Sequence, residues 1–467
     1  MTFSKTFSGE HKKQFLLVII FLIALCTRFL LCLYNREAND DHMEVINWIV
    51  DKHQVPVREN CWECFQPKIY YQLNAAVITY LNIDKPVDRM ICVQMINFVF
   101  GFFILIIAWL FIRSQDFKDE NKIAAFSLVA FNPCLTGINA QATNDTFEIL
   151  AGCLTIYFAS LFFRKRKILC LIGFTTSLIL AGIVKGSGLS LAIGIIIVFA
   201  GYLFIAPVMN RRFVLKSFFA IVACYLLIVP FSGGYYDNYK KYHNPFVNNI
   251  DLKDPPPDFY KQVYMGRPGI TSIVDGYFTF RIFNLINHPY INNESTDYPL
   301  HRTSLWSQLY GRTFFVHFDQ YPPSWVCLNP SVLMAGRYLL SFGLAPLLLF
   351  LLGFYFSARD SIQALAKKNK EFFSTDLGWA HLLIIISSLL FVVKYTYDYR
   401  DFSNMKSIFI FPVLLSIIAV FMRGFSFIKS ALLKGSLLVI LTCLNLLSLY
   451  DIFVLTNQLI HYSRFSY

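Results

Sequence analysis

Long apolar runs separated by shorter polar segments dominate the sequence. A helix that crosses a bilayer needs roughly 20 apolar residues, and about eleven runs of this kind are present. The first covers residues 14–34 and is followed by no small-residue cleavage site, so we interpret it as a retained membrane anchor. The other runs begin near Ile91, Ile123, Thr146, Ile168, Leu189, Phe213, Met334, Leu377, Ser407 and Leu437. The pattern predicts an all-α polytopic membrane protein with about 11 transmembrane helices.

The composition excludes a chain of several water-soluble domains. Hydrophobic residues make up 56% of the sequence and charged residues only 15%, whereas soluble domains carry about 25% charged residues. The 41 Lys and Arg residues against 29 Asp and Glu residues give a formal net charge of +12. In so apolar a chain we attribute this excess to membrane topology, and we expect no nucleic-acid partner.

Basic residues cluster after alternate apolar runs. They lie at residues 164–167, at Arg211, Arg212 and Lys216, at Lys367, Lys368 and Lys370, and at Arg423, Lys429 and Lys434. Because Lys and Arg are retained on the cytoplasmic side of a bilayer, these segments are predicted to be cytoplasmic. The same topology assigns two long polar stretches, residues 35–90 and 233–332, to the external face.

This topology divides the chain into three parts. Residues 1–232 form an N-terminal transmembrane module that includes the first external loop (35–90), residues 233–332 form the large external loop, and residues 333–467 form a C-terminal transmembrane module. Short helices are expected in both loops. In the second, apolar residues recur at helical spacing over 305–314, which fits either an interfacial amphipathic helix or a buried hairpin.

Acidic residues open the first external loop directly after the first apolar run. Asp40 and Asp41 are adjacent, and Glu44 follows at the start of an apolar helical pattern. One interpretation is a helix N-cap with favourable charge at the helix dipole. The other is a general base, because a carboxylate at the water–membrane boundary can take a proton from an acceptor hydroxyl.

A second candidate group lies between apolar runs that follow. Lys185 precedes Gly186 and Gly188 on the predicted external side, against the general charge bias. It either extends to lipid headgroups or pairs with a phosphate. No third glycine follows at dinucleotide-binding spacing, so a nucleotide site is excluded. Asp145, which follows Asn144 at the end of an earlier run, either caps the next helix or makes an acceptor or loop contact.

Cysteines and isolated charges offer weaker candidates. Cys61, Cys64 and Cys327 lie in the predicted external loops, where a disulfide is allowed, and no second CxxC pair or His-x-x-His completes a zinc site. The loop carboxylates could bind a divalent cation, but no spacing demands one. Arg28 lies within the first apolar run, where we expect it to reach water or to pair with an acidic loop residue.

Taken together, these motifs resemble those of GT-C membrane glycosyltransferases, in particular the superfamily of protein O-mannosyltransferases and lipid A aminoarabinose transferases. The resemblance rests on Asp40-Asp41 with Glu44, on the segment Phe65-Gln66-Pro67-Lys68-Ile69-Tyr70-Tyr71, on Pro133 and Asn144-Asp145, and on Lys185-Gly186-Ser187-Gly188-Leu189. It covers about the first 190 residues. The later half matches only in architecture and in a loose pattern at Arg400, Lys406, Phe411 and Pro412. Lys68 replaces the family's usual second proline, which leaves sugar and acceptor open.

The resemblance implies a GT-C fold and transfer of a hexosyl or pentosyl group from a polyprenyl-phosphate-linked sugar, such as dolichyl-phosphate mannose, to a lipid or protein acceptor. Asp41, with Asp40 as the alternate, would act as the general base. Lys185, Arg400 and Lys406 would bind the donor phosphate. The remaining candidates for acceptor or loop contacts are Glu44, Gln66, Lys68, Asp145, Arg312 and His317.

A different class of function also fits a polytopic chain with a few intramembrane charges, namely a transporter or flippase of lipid-linked sugars. The long external loops favour the enzyme. Residue usage rich in Phe, Ile and Asn favours a bacterial inner membrane over the endoplasmic reticulum, with the active site on the periplasmic or lumenal side.

Overall fold

The computed structural model describes residues 9–35, 41–205, 211–246, 272–289, 304–315, 330–398 and 405–465. Within these ranges every regular element is a helix, so the all-α prediction is confirmed. The predicted external loops also carry short helices, as expected.

The helices of the first half are α1 (Gly9–Tyr34), α2 (His42–Lys52), α3 (Ile69–Tyr80), α4 (Pro86–Ser114), α5 (Asp119–Ala130), α6 (Pro133–Asn139), α7 (Asp145–Lys165), α8 (Ile168–Val184), α9 (Gly188–Ile205), α10 (Arg211–Ser232) and α11 (Tyr235–Tyr242). Those of the second half are α12 (Ile273–Tyr277), α13 (Ile282–Asn287), α14 (Leu305–Phe314), α15 (Pro330–Phe342), α16 (Leu344–Ala366), α17 (Phe372–Thr375), α18 (Gly378–Asp398), α19 (Leu414–Phe427) and α20 (Ala431–Phe465). Turns of 3-10 helix cover Arg58–Asn60, Trp62–Phe65 and Ser407–Val413.

In the described part of the chain, 9 helical segments are long and apolar enough to cross a membrane. They are Lys13–Tyr34, Pro86–Ser114, Asp145–Lys165, Gly188–Ile205, Arg211–Ser232, Ser331–Ala366, Gly378–Asp398, Ser407–Phe427 and Ala431–Gln458. The predicted count of about eleven is not confirmed. The difference lies at two apolar runs: α8 has only 17 residues, and the run near Ile123 is divided between α5 and α6.

The division between α5 and α6 has a local cause. Pro133 occupies the first turn of α6, and the Asn132 side chain accepts a hydrogen bond from the Leu135 amide at 2.8 Å, which caps the new helix. At the C-terminal end of α5, the Arg28 guanidinium donates a hydrogen bond to the carbonyl oxygen of Ala130 at 2.6 Å. These contacts satisfy backbone groups that the interrupted helix leaves open.

The prediction for Arg28 was therefore wrong. Its side chain is fully buried, and besides Ala130 it donates to Asn139 Oδ1 at 3.0 Å and to the Val129 carbonyl at 3.4 Å. It does not reach water, and it pairs with no acidic residue of the described ranges. Aligned carbonyls at a helix C-terminus carry partial negative charge, which compensates a buried cation.

A close helix crossing organises the C-terminal part of the bundle. A methyl group added at Gly353 of α16 would lie 1.9 Å from the Val420 carbonyl oxygen, and one added at Gly424 of α19 would lie 1.9 Å from the Leu349 carbonyl oxygen. Only glycine permits this backbone approach, as in small-residue interfaces of membrane helices. The crossing sets the spacing between Ser357 and Arg423, which line a cavity described below.

The two predicted external loops each have internal contacts and are also bonded to each other. In the first loop a disulfide links Cys61 to Cys64, whereas Cys327 lies outside the described residues. Lys241 and Tyr242 of α11 both donate hydrogen bonds to Glu59 Oε1. These bonds hold the pKa of Glu59 down at about 2 and tie the start of the second loop to the first.

Candidate functional site

A buried ion pair marks one end of the bundle, where α7 begins and the α8–α9 connection lies. Lys185 Nζ donates to Asp145 Oδ1, and the two side chains are 10% and 2% exposed. Asp145 is the first residue of α7, and Lys185 follows the last residue of α8. Burial of both charges away from water is costly unless the pair is well made and further hydrogen-bonded.

Asp145 has such a further partner, which extends the pair into the first external loop. Thr143 Oγ1 donates to Asp145 Oδ2 at 2.6 Å and lies 3.3 Å from His42 Nε2. The other ring nitrogen of His42 lies 2.8 Å from the Tyr71 hydroxyl. A continuous hydrogen-bonded chain therefore runs from Tyr71 of α3 through His42 of α2 to Asp145 and Lys185.

The loop between α6 and α7 is held in place from α4. The Asn97 amide donates to the carbonyl oxygens of Gln141 at 2.5 Å and Thr143 at 2.8 Å, and it lies 3.1 Å from the Tyr70 hydroxyl. Asn97, Thr143 and Tyr70 are all fully buried. The position of Asp145 is thus fixed by polar contacts that do not depend on a bound molecule.

A second carboxylate lies one helical turn further along α7. Glu148 is fully buried, and among the described residues neither of its carboxylate oxygens meets the geometry of a hydrogen bond. Lys185 and Ser187 are the groups that face it, together with Tyr235 of α11. Burial raises the pKa of the Tyr235 phenol, whose hydroxyl donates to the Gly182 carbonyl at 2.8 Å.

A second cation approaches Lys185 from the C-terminal half of the chain. Lys406 precedes the 3-10 segment Ser407–Val413, is half-buried and is close enough to Lys185 for the two charges to interact. From the same segment, the ring centroid of Phe409 lies 5.2 Å from Lys185 Nζ. Two of the predicted phosphate-binding cations are therefore brought together. Arg400, the third, lies outside the described residues.

The predicted general bases lie beside this cluster in the sequence. Asp41 is exposed and occupies the N-cap position of α2, but its side chain accepts no capping hydrogen bond. It is adjacent to His42, which belongs to the buried chain of hydrogen bonds. Asp40 lies outside the described residues.

The other first-loop candidates hold the loop itself together. Glu44 accepts from the Trp62 amide at 3.4 Å, Gln66 donates to Glu63 at 3.2 Å, and Lys68 donates to the Cys64 carbonyl. Burial lowers the pKa of Lys68 to about 8, and Glu63 opposes part of that shift. These bonds brace the turn closed by the disulfide.

The helix predicted over 305–314 is present as α14, and most of its side chains are buried rather than interfacial. Its Arg312 is buried and donates to Gln308 Oε1 at 3.0 Å. The Asn132 amide reaches the Thr313 carbonyl at 3.2 Å, and α14 packs against α6 and against Ser407–Val413. It therefore lies next to the elements that carry the site. His317 lies outside the described residues.

Sequence reasoning missed His42 and Glu148. His42 was overshadowed by the acids beside it, and nothing in its local pattern indicates that Thr143 and Tyr71 will meet its two nitrogens. Glu148 did carry a signal, because an ionisable residue within an apolar run is by default a candidate functional residue. Within the described ranges, no group of three or more His, Cys, Asp or Glu side chains is arranged to hold a metal ion.

No family model matches the chain, and no curated protein sequence matches it significantly. Among solved structures, it is similar to the apo oligosaccharyltransferase of Archaeoglobus fulgidus at 12% identity and a TM-score of 0.49, over 98% of this chain and 57% of that one. The oligosaccharyltransferase AglB of the same organism, in complex with an inhibitory peptide and a dolichol-phosphate, gives 12% identity, a TM-score of 0.45 and coverage of 97% and 56%.

ArnT from Cupriavidus metallidurans, bound to undecaprenyl phosphate, gives 11% identity, a TM-score of 0.37 and coverage of 88% of this chain and 77% of that one. This chain spans a little over half the length of the archaeal oligosaccharyltransferases. Because the identities are only 11–12%, we infer function from this chain's own residues.

Proposed function

We propose that this chain is an integral membrane glycosyltransferase that moves a hexosyl or pentosyl group from a polyprenyl-phosphate-linked donor to a lipid or protein acceptor on the external face. The observation that carries the proposal is the pairing of Lys185 with Asp145, with Lys406 beside it, at the end of the bundle where the first external loop folds. Burial of a cation at that depth costs free energy, and binding of a lipid-borne phosphate would explain why the cation is present.

The two lysines are assigned to the donor phosphate. Departure of a lipid phosphate from the sugar develops negative charge on oxygen, and preorganised cations stabilise that charge most where water is excluded. Asp145 holds Lys185 in position before the donor binds, so little reorganisation is needed. Arg400 is proposed as a third contributor on its position in the sequence.

The base is assigned to Asp41, with Asp40 as the alternate. The acceptor hydroxyl gives its proton to the carboxylate, its oxygen bonds to the anomeric carbon, and the bond from that carbon to the phosphate oxygen breaks in the same displacement. Asp41 is exposed and makes no capping bond, so an acceptor can reach it. This assignment predicts inversion at the anomeric carbon.

The acceptor is proposed to bind between the two external loops. Glu44, Gln66 and Lys68 belong to the first loop, and Arg312 and His317 belong to the second. The same proposal includes the division of the chain into three parts at residues 232 and 332. It also includes location in a bacterial inner membrane, with the active site on the periplasmic side. Membrane lipids surround the transmembrane modules.

The decisive experiment incubates the purified full chain with labelled polyprenyl-phosphate hexoses and pentoses and with acceptor-bearing membranes. We expect covalent transfer to fall by about 10²–10⁴-fold in the double variant Asp40→Asn/Asp41→Asn, because general-base catalysis contributes about that much. Asp84→Asn, an exposed aspartate of the same loop, is the matched control and should retain full activity.

Undiminished transfer in the double variant would remove the proposed base. Proteoliposomes provide the contrasting measurement: translocation of lipid-linked sugar without a covalent product would make the chain a transporter or flippase and would contradict the enzyme.

A further inference from the structure

A cavity of about 400 Å³ opens at the end of the bundle opposite the Asp145–Lys185 pair. It lies between the C-terminal end of α7, the α4–α5 connection, α16, the start of α18 and α19. Since α7 and α18 each have 21 residues, the two ends are separated by about 30 Å. The cavity is therefore distinct from the candidate active site, and its volume lies within the roughly 300–1,000 Å³ typical of small-molecule sites.

The cavity lining contains polar groups that the protein does not fully use. The Ser357 hydroxyl is 1% exposed and, within the described residues, has no hydrogen-bond partner. His381 is bonded at Nδ1 to Ser416 at 3.0 Å, and no described residue bonds its Nε2. At the mouth, Arg164 uses two of its nitrogens, on the Ser114 carbonyl and on Gln115 Oε1, both at 2.8 Å.

Of the two carboxylates in the lining, Asp376 is already occupied, because it accepts from Arg423 at 2.5 Å through Oδ2 and from the Gly378 amide at 2.7 Å through Oδ1. The other terminal nitrogen of Arg423 is held outside the lining by Asp360 at 2.8 Å. Asp116, at the exposed rim, faces Arg164. Because Arg164 is a fixed cation with N–H groups beyond the two that it uses, the complementary ligand is one that supplies oxygen acceptors.

Apolar side chains form the rest of the lining, namely Phe117, Leu377, Ala419, Val420 and Phe427. A ligand that meets both kinds of side chain combines an anionic head with an apolar part. The surrounding surface favours negative charge, since basic clusters at residues 164–167 and at Lys429 and Lys434 lie at this end of the helices.

We propose that this cavity binds the phosphate group of an anionic amphiphile, with the headgroup against Arg164, His381 and Ser357 and the acyl chain against Phe427. The shared chemistry is a phosphate ester, and the apolar wall assigns it to a lipid rather than to a soluble phosphate. The site is independent of the glycosyl transfer proposed above.

The test measures binding of three probes to the purified, delipidated full chain by titration calorimetry and thermal unfolding. The probes are short-chain phosphatidylglycerol, phosphatidylcholine of the same chain length, and inorganic phosphate. We expect phosphatidylglycerol to bind most tightly and to raise the unfolding temperature.

Ser357→Ala, His381→Asn and Arg164→Gln should each weaken phosphatidylglycerol binding by about tenfold, as expected for a hydrogen bond to a charged group. Ser357→Ala is the sharpest variant, because removal of an unpartnered buried hydroxyl should leave the empty protein as stable as before or slightly more so. Asn at 381 keeps a polar atom for Ser416 and removes Nε2. The matched controls are Ser361→Ala, one turn along α16, and Lys165→Gln, next to Arg164, which should bind as the wild type does.

Equal affinity for phosphatidylcholine and phosphatidylglycerol would overturn the proposal, and so would wild-type affinity in all three cavity variants. Binding of inorganic phosphate with the same sensitivity to Ser357→Ala and Arg164→Gln, and with no gain from acyl chains, would support the phosphate site with a soluble ester as its source.

Discussion

The two ends of the helical bundle contain the same types of charged residue, but these residues serve different purposes. Around Asp145 and Lys185 the charged groups are buried and linked to Thr143 and His42 in one hydrogen-bonded chain. At the opposite end Arg423 also pairs with carboxylates, yet those side chains are 15–30% exposed and stand beside an open cavity.

The difference lies in what each environment does to a charge. Where water is excluded, a cation is held by protein side chains, and its electrostatic interaction with a bound phosphate is strong. At a wetter surface the same ion pair is screened, and it serves to keep donors in place around a ligand. Depth of burial therefore distinguishes a site suited to chemistry from one suited to recognition.

Removal of Lys185 should have the largest effect on stability. In Lys185→Met the carboxylate of Asp145 stays buried without its cation, so the free energy of unfolding should fall by about 3–5 kcal/mol. Transfer should be lost as well. The double variant Lys185→Met/Asp145→Asn should recover most of the stability in thermal unfolding but none of the transfer.

An exposed pair provides the comparison. Lys394 and Asp398 are paired on α18 with side chains 74% and 42% exposed, and Lys394→Met should change stability little. If Lys185→Met unfolded no more readily than Lys394→Met, the contrast between buried and exposed pairs would not hold for this molecule.

The next largest effect on stability is expected at the crossing of α16 and α19, which sets the spacing of residues in the cavity lining. Gly353→Ala forces a methyl group into the Val420 carbonyl and should cost about 1–3 kcal/mol of unfolding free energy. It should also weaken lipid binding at the cavity without a change in donor binding at Lys185. Gly435→Ala is the control, because no atom lies within 4 Å of the added methyl, and a helical alanine should stabilise slightly.

A pH dependence separates Lys68 from Lys185, because Lys68 is buried against a backbone carbonyl rather than a carboxylate. Burial lowers its pKa from 10.5 to about 8, so the folded state binds its proton less tightly than the unfolded chain does. The charged side chain therefore destabilises the fold below about pH 8, and this penalty disappears as the pH rises to 10.5. Relative to Lys68→Met, the wild type should gain on the order of 1–3 kcal/mol across that window.

The measurement is chemical unfolding from pH 7 to pH 11. Lys85→Met, a substitution of an exposed lysine in the same loop, should follow the wild-type profile. If the unfolding free energy of Lys68→Met depended on pH in the same way as that of the wild type, Lys68 would not be buried.

The smallest effect is expected where the two predicted external loops meet. Hydrogen bonds from Lys241 and Tyr242 lower the pKa of Glu59 to about 2, so their stabilisation is present above the ordinary value of 4.5 and is lost as the pH falls toward 2. Glu59→Gln should loosen the contact at pH 7 and make hydrogen exchange in α11 faster. This difference from the wild type should shrink as the pH falls to 2, where about half of the Glu59 carboxyl groups are protonated. Glu120→Gln, which removes an exposed carboxylate at the far end, should leave α11 unchanged.

Much of the fold could be predicted from the sequence, because a bilayer-length apolar run has few alternatives to a helix. The polytopic all-α class and the short loop helices follow from that constraint. The prediction of about eleven spans was less secure, since apolar length alone does not show that Pro133 divides the run near Ile123. Arg28 illustrates the same limit, because its partners are carbonyls created by that division.

For the site, the sequence indicates which residue types are present, and the fold determines which of them are in contact. Asp145 and Lys185 are candidates from their sequence context, and Lys406 is one through the family resemblance. The first two form an ion pair across 40 positions of the chain. The roles assigned to Asp41, Arg400 and His317 stay predictions. The environments of His42 and Glu148 could not be predicted, since they depend on Thr143, Tyr71 and Lys185, which reach them from other elements.

By itself the order of apolar and polar residues determined that this chain lies in a membrane as a set of helices with charged groups near their ends, because backbone hydrogen bonds have no other solution in hydrocarbon. Only the tertiary structure decided which charges are buried together and which face an open cavity. Burial and pairing depend on contacts between segments far apart in the chain, and no local pattern encodes those distances.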